Sequence, residues 1–326
     1  MPVIVQKYGG TSVGDSTRIK VVADRVVRTR DEGNDVVVVV SAMGKTTNQL
    51  LALAAEVSSA PQPREMDMLL TAGERISMAL LAMALNDRGV PAVSYTGSQA
   101  GILTDSAHGG ARITQITAER VKESLAMDKV VIVAGFQGVD PASREVTTLG
   151  RGGSDTTAVA LAATLGATSC EILTDVAGVF TADPRLVPDA GVLDEISYDQ
   201  MLAMASAGAG VLMPHSIEYA RDHSVPVHVR SSFTDDSGTW VRSAVAARPL
   251  AGLAHHIEPG RGVVTIVGSD AHVIAASQMA AMNDIDMPAT QGHADEGSVS
   301  LLVAPERTED ALRFLHSRLF ELESSQ

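Results

Sequence analysis

Short Val- and Ile-rich runs alternate with longer amphipathic stretches through most of this chain, and that alternation restricts its fold more than any other feature. "PVIVQ" precedes a helical pattern over 15–32, and "DVVVVV" precedes patterns over 48–59 and 64–88. "PAVSYT", "KVVIVAGF", "SCEILTD" and "PVHVRSS" continue the series, with further helices predicted over 153–165 and 198–207. β-Branched runs with no polar alternation belong to strands buried on both faces, and helical crossovers join parallel neighbours. The expectation is an α/β fold, a mainly parallel sheet sandwiched by helices. Over 15–32, Ile19, Val22, Ala23 and Val26 keep one apolar face, with Asp15 or Ser16 as N-cap and Gly33 as the stop.

The turn-rich "SSFTDDSGT" closes this pattern near residue 238, and a smaller one follows. It predicts strands in "LAGLAHHI" and "RGVVTIVG", a helix over 271–282, strands in "IDMPATQ" and "SVSLLVA", and a helix over 308–322. That order suits one antiparallel sheet with both helices on one face, a small α+β domain. The predicted domains are 1–245 and 246–326. Aromatics make up only 3% of the 326 residues, so both cores must be built from aliphatic side chains. A formal charge of −14 repels polyanions, so neither nucleic acid nor an anionic membrane is an expected partner. Any anionic ligand needs basic residues gathered locally. The lone Cys170 leaves no disulfide framework and suits a reducing compartment. The apolar run before Lys7 is too short for a signal-peptide core, and "DVVVVVSAMG" and "MALLAMAL" fall short of a bilayer span, so the expected location is the cytoplasm.

Three clusters carry chemistry. In "VIVQKYGGTSVGDS" a strand runs into Gly9 and Gly10 and then a helix, a way to present backbone N–H groups to phosphate, with Lys7 adding charge. The spacing is neither a Walker A loop nor a dinucleotide fingerprint, and a plain tight turn with an exposed Lys remains open. In "TTLGRGGSDTTAVALAATLG" Arg151 precedes Gly152 and Gly153, and Ser154 and Asp155 follow. Arg151 can grip a carboxylate or phosphate with two parallel hydrogen bonds, while Asp155 serves either the site or merely the helix cap. In "ILTDVAGVFTADPRLVPDA" a strand ending at Thr174 and Asp175 opens a loop with Phe180, Asp183 and Arg185, where open α/β sheets bind ligands.

Together with "MLLTAGERISMALLAMAL" and "YTGSQAGILTDS", these clusters resemble the aspartate kinases of the amino acid kinase family over about 2–233, and the tail resembles the ACT domains that follow. The resemblance implies transfer of the γ-phosphoryl group of ATP to the side-chain carboxylate of aspartate, with Mg2+ on the nucleotide phosphates and no dedicated protein metal site. It places Lys7 and Asp155 as catalytic residues. ATP is implied at Lys7, Tyr8, Gly9, Gly10, Ser41, Thr174, Asp175, Phe180, Arg185, Gly210 and Val211. Aspartate is implied at Thr47, Glu74, Arg151, Gly152, Gly153 and Ser154, with Arg151 suited to the α-carboxylate and Glu74 to the α-ammonium. A homodimer through the single ACT-like domain is also implied.

The chain departs from the family at two points. Where Gly-Ala-Lys-Val-Leu-His-Pro is usual, it has Gly208, Ala209, Gly210, Val211, Leu212, Met213 and Pro214, losing a cation that approaches the nucleotide. Members with lysine or threonine feedback carry two ACT units, and the residues after 245 suffice for one, so weak or absent feedback is expected. A working kinase with altered nucleotide binding is the leading reading. The alternatives are a catalytically degenerate regulatory subunit and a kinase for another small acidic amino acid.

Overall fold

In the computed structural model, which describes residues 1–243 and 245–320, the Val-rich runs are strands and the amphipathic stretches helices. The elements are β1 (Val3–Tyr8), α1 (Ser16–Asp31), β2 (Asp35–Val40), α2 (Thr46–Val57), α3 (Pro63–Asn86), β3 (Ala92–Tyr95), β4 (Ile102–Thr104), β5 (Ile113–Ile116), α4 (Glu119–Ala126), β6 (Val130–Ala134), β7 (Gln137–Val139), β8 (Val146–Thr148), α5 (Gly153–Leu165) and β9 (Ser169–Thr174). There follow β10 (Glu195–Ile196), α6 (Tyr198–Ser206), α7 (Pro214–Asp222), β11 (Val227–Ser231), β12 (Thr239–Val241), β13 (Gly252–Glu258), β14 (Arg261–Val267), α8 (Ala271–Asn283), β15 (Thr290–Asp295), β16 (Ser298–Val303) and α9 (Thr308–Phe320). They fall into two compact units that do not follow chain order: 1–177 with 219–236, and 178–218 with 237 onward.

In the first unit six strands run parallel in the order β11-β9-β1-β2-β6-β3. Val36, Val38 and Val40 share a core with Ile19, Val22 and Val26 of α1 and Leu81 and Leu85 of α3. Val37 and Val39 point the other way and are equally buried, on the face that α5 covers. A strand buried on both faces has no polar side, which is why β2 reads as an unbroken Val run. The Asp15 side chain accepts from the Arg18 N–H and caps α1, and Gly33 just beyond its end has φ +91°. A second, four-stranded sheet, β5-β4-β7-β8, has strands of three or four residues, too short to leave a period in the sequence.

At 24 residues α3, which contains "MALLAMAL", is long and apolar enough to cross a membrane by length and composition alone, a test that the core helix of a folded domain also passes. Its Met78, Leu81 and Leu85 lie in the first unit's core, and it carries buried Asp67 and Glu74.

The second unit holds the antiparallel sheet β13-β14-β16-β15. Val264, Ile266, Val299 and Leu301 pack with Ala271, Ala275 and Met282 of α8 and Leu312 and Leu315 of α9, so both helices cover one face. The opposite face carries Thr265 and Ser300, whose hydroxyls lie 3.0 Å apart. One predicted strand is displaced: "IDMPATQ" places it at 285–291, whereas β15 begins at Thr290. Asp286 turns left-handed (φ +56°), the Met287 N–H bonds back to the Met282 carbonyl, and Pro288 has no N–H to give a ladder. The end of α9 predicted at 322 lies outside the described residues.

Candidate active site

The carboxyl ends of β1, β2, β6 and β9 converge in the first unit. Gly9 N–H donates to the Leu173 carbonyl (3.3 Å), Ser41 N–H to Tyr8 (3.1 Å), Gly44 N–H to Gly10 (2.9 Å) and Gly135 N–H to Val40 (3.0 Å). A Cβ on Gly10 would lie 2.8 Å from the Ala42 carbonyl oxygen, so the turn after β1 can rest on the turn after β2 only as glycine.

Lys7 alternates with Tyr8 along β1, so the two side chains leave on opposite faces. Tyr8 enters the core, where its hydroxyl donates to Gln6 Oε1 (3.2 Å) and burial pushes its phenol pKa up. Of Tyr8, only the backbone borders the site. Lys7 extends its ammonium over Gly9, 3.7 Å from where a Cβ there would stand, and meets Asp155 at 2.6 Å. Both side chains are largely enclosed, at 12% and 10% exposure. Asp155 lies in the first turn of α5, whose N-cap is Gly152. The carboxylate is therefore spent on Lys7 rather than on capping the helix. The ammonium and the positive end of the α5 dipole together favour an anion.

Glu74 is 5% exposed, and its Oε1 accepts from the Ala42 N–H at 3.2 Å. Its Oε2 is buried and makes no hydrogen bond among the described residues. Burial pushes its pKa to about 7. A carboxylate oxygen left unpartnered in a buried position is a ready acceptor for a small cation. Ser154 stands beside Gly135, where an added Cβ would come 2.7 Å from its Oγ. Half-buried Thr47 lies in the first turn of α2, and Arg151 is exposed on the turn between β8 and α5. Lys7, Gly9, Gly10, Ser41, Glu74, Ser154 and Asp155 are thus brought together, while Thr47 follows on α2 and the turn holding Arg151 and Gly152 joins β8 of the four-stranded sheet to α5.

Thr174 and Asp175 follow β9, the Thr174 hydroxyl donating to Asp175 Oδ1 at 3.2 Å. The remaining nucleotide candidates lie in the second unit. Phe180 packs against that unit's core, and Arg185 is exposed and ion-paired to Asp183 at 2.6 Å, a contact that lowers the Asp183 pKa. Gly210 and Val211 lie between α6 and α7, and a Cβ on exposed Gly210 would meet nothing within 4 Å. Gly208 differs: its φ is +112° and a Cβ would stand 2.4 Å from the His255 carbonyl oxygen. Position 208 demands glycine; position 210 does not. The Met213 carbonyl accepts from Ser216 N–H (3.0 Å) and Oγ–H (2.7 Å) at the start of α7.

Two buried residues escaped the sequence reading. Gly135 has no motif around it. Asp67 lies two helical turns before Glu74 on α3, hence on the same face, and an acidic residue at that spacing on an apolar helix was a usable signal. Among the described residues no three His, Cys, Asp or Glu side chains converge on a point that could hold a metal ion.

A match to the amino acid kinase family spans residues 2–231. Aspartokinase of Mycolicibacterium smegmatis is 57% identical over 273 residues, 82% of this chain and 64% of that protein. That of Mycobacterium tuberculosis (strain H37Rv) is 55% identical over 293 residues, 88% and 69% of the two chains. The chain therefore spans about two thirds of the length of these curated relatives. Among solved structures, aspartate kinase from Synechocystis superposes with a TM-score of 0.67 at 39% identity, over 99% of this chain and 56% of that one. Escherichia coli aspartokinase III in complex with aspartate and ADP gives a TM-score of 0.85 at 24% identity, over 98% and 100%, a likeness of fold.

Proposed function

This chain belongs to the amino acid kinase family, on its aspartokinase branch, and from that premise we propose that it transfers the γ-phosphoryl group of ATP to the side-chain carboxylate of L-aspartate. The observation that carries the reading is the enclosed Lys7–Asp155 pair at the end of β1, set beside glycine turns and a helix N-terminus. A carboxylate acceptor of ordinary pKa about 4 is already ionised at neutral pH, so the site needs no general base. The obstacle is the approach of two anions.

In the proposed step one oxygen of the substrate's side-chain carboxylate forms a bond to the γ-phosphorus. The bond from that phosphorus to the β,γ-bridging oxygen breaks, and its electron pair leaves with ADP. No proton is transferred. Lys7 stabilises the charge on the transferring group, Asp155 holds Lys7 in place, the side-chain-free Gly9–Gly10 turn lets phosphate oxygens approach the backbone with the Gly10 N–H as donor, and the positive end of the α5 dipole attracts them. Glu74 Oε2 takes the α-ammonium and Arg151 the α-carboxylate, which leaves the side-chain carboxylate to face ATP. Ser41, Thr47 and Ser154 supply hydroxyls around the substrate.

The donor set suits Mg2+ carried on the nucleotide's phosphates, with Asp155 as the acidic residue beside them, and the ion would supply further neutralisation of phosphate charge. Thr174, Asp175, Phe180, Arg185 and Val211 are assigned to the nucleotide, and Gly210 leaves one cationic contact unfilled. Residues 246–326 are read as one ACT-like domain. Its edge strands β13 and β15 support a homodimer, which equilibrium ultracentrifugation tests.

The deciding experiment is incubation with ATP, Mg2+, a panel of acidic amino acids and hydroxylamine, which traps an acyl phosphate as its hydroxamate. Hydroxamate with aspartate alone is expected. Signal only with another acid, or none at all, overturns the proposal.

A further inference from the structure

Asp67 is 1% exposed, and its carboxylate is fully engaged. Oδ2 meets His108 Nδ1 at 2.7 Å, Oδ1 accepts from the Thr148 hydroxyl at 2.5 Å, and the Gly109 N–H reaches both oxygens at 3.1 and 3.2 Å. These partners come from two separate turns. His108 and Gly109 belong to the β4–β5 connection, and Thr148 ends β8, just before Gly150 and Arg151. The turns also bind each other: Ala111 N–H donates to the Thr148 carbonyl at 2.8 Å, and a Cβ on Gly150 would stand 3.3 Å from the Gly109 carbonyl oxygen. Gly150 and Gly152, on either side of Arg151, have φ of +74° and +71°. The placement of exposed Arg151 is thus set by its backbone, and that backbone hangs from Asp67.

Asp67 and Glu74 share one face of a single rigid helix, two turns or about 10 Å apart. We infer that Asp67 is a positioning residue for substrate: through Thr148 and Gly109 it fixes the Arg151 turn at a set distance from Glu74, and so gauges the separation between the α-carboxylate and the α-ammonium that the site accepts. The inference rests on the proposed aspartate site.

The test compares Asp67→Ala, Thr148→Val and His108→Ala with the parent protein. Asp67→Ala is expected to raise KM for aspartate about ten-fold, and the two milder variants a few-fold each, because each removes one hydrogen bond to a charged acceptor. KM for ATP stays within about two-fold in all three. A general loss of structure would move both constants and is checked by the amide exchange of residues 36–40, which stays at parent rates. In the same variants, exchange of 107–112 and 148–153 is expected to accelerate. If the parent turns over aspartate and the variants keep its KM, or if both KM values rise together in the two milder variants, the inference fails alone. If the parent shows no turnover of aspartate, the functional reading fails and takes the inference with it.

Discussion

Two stretches leave neighbouring parallel strands at their carboxyl ends, yet they are held by different cores. The turn after β1 is bound within the first unit, through Gly9 to Leu173 and Gly10 to Gly44. The stretch after β9 passes into the second unit, where Ala182, Val187 and Ala190 are buried with Val264, Ile266 and Leu315. The Thr181 carbonyl accepts from Leu253 N–H at 2.7 Å, its hydroxyl meets buried His316 Nε2 at 2.9 Å, and Arg313 Nε donates to the Leu186 carbonyl at 2.9 Å. Phe180 and Arg185 therefore ride on the antiparallel sheet and its last helix, whereas Lys7, Glu74 and Asp155 ride on the parallel sheet. The proposed amino-acid and phosphoryl-transfer groups thus belong to one core and a large part of the proposed nucleotide loop to the other, so the two can be perturbed separately.

The largest expected effect is at Lys7. Lys7→Met removes the enclosed cation, and hydroxamate formation with saturating substrates is expected to fall by roughly a thousand-fold, with Asp155→Asn somewhat milder. A fall of less than ten-fold for Lys7→Met would place the transferring group elsewhere.

Glu74 gives the next effect, and its sign differs between stability and activity. Its folded pKa of about 7 lies above the unfolded value of 4.5. Between these values the folded chain keeps a proton that the unfolded chain releases, so stability falls as pH rises through the window. At pH 8 the loss reaches about 3 kcal/mol. Glu74→Gln is therefore expected to stabilise the unliganded protein at pH 8, seen as a higher urea midpoint, and to leave it little changed below pH 4.5. The same substitution should raise KM for aspartate about thirty-fold, by removing the charged partner of the ammonium. In the parent, kcat/KM for aspartate should drop as pH falls below about 7, where Glu74 takes up its proton. A Gln variant with unchanged KM would remove Glu74 from the site.

Gly210→Lys should lower KM for ATP by about ten-fold, since a side chain there meets open space and the new cation gains a charged contact. Urea denaturation of that variant is expected to match the parent, in contrast to Gly208→Ala, which strains a left-handed residue against the His255 carbonyl. The smallest effect tests the second core: Thr181→Val, which removes the His316 contact, should raise KM for ATP by a few-fold and leave KM for aspartate unmoved. Equal changes in both constants would join what the two cores separate.

Much of this was legible before the structure. The parallel sheet follows from β-branched runs such as β2, because burial on both faces leaves no polar position in the strand. The Gly9–Gly10 and Gly152–Gly153 turns were visible because glycine next to a strand end and a helix start has few other uses. β15 was misplaced because local apolar character at 285–289 outweighed the left-handed Asp286 and Pro288, whose effect depends on how α8 ends. The β5-β4-β7-β8 sheet was missed because strands of three or four residues carry no measurable period.

From residue order alone come the strand–helix alternation, the acidic balance and the positions where backbone must approach closely, since each is a property of neighbouring residues. Only tertiary structure could decide that Asp155 spends its carboxylate on Lys7, that Glu74 keeps one oxygen unpartnered, that Tyr8 turns into the core, and that Asp67 reaches Thr148. Those outcomes depend on burial and on contacts between residues tens of positions apart, where a charge's partner and its access to water are set by packing rather than by sequence neighbours.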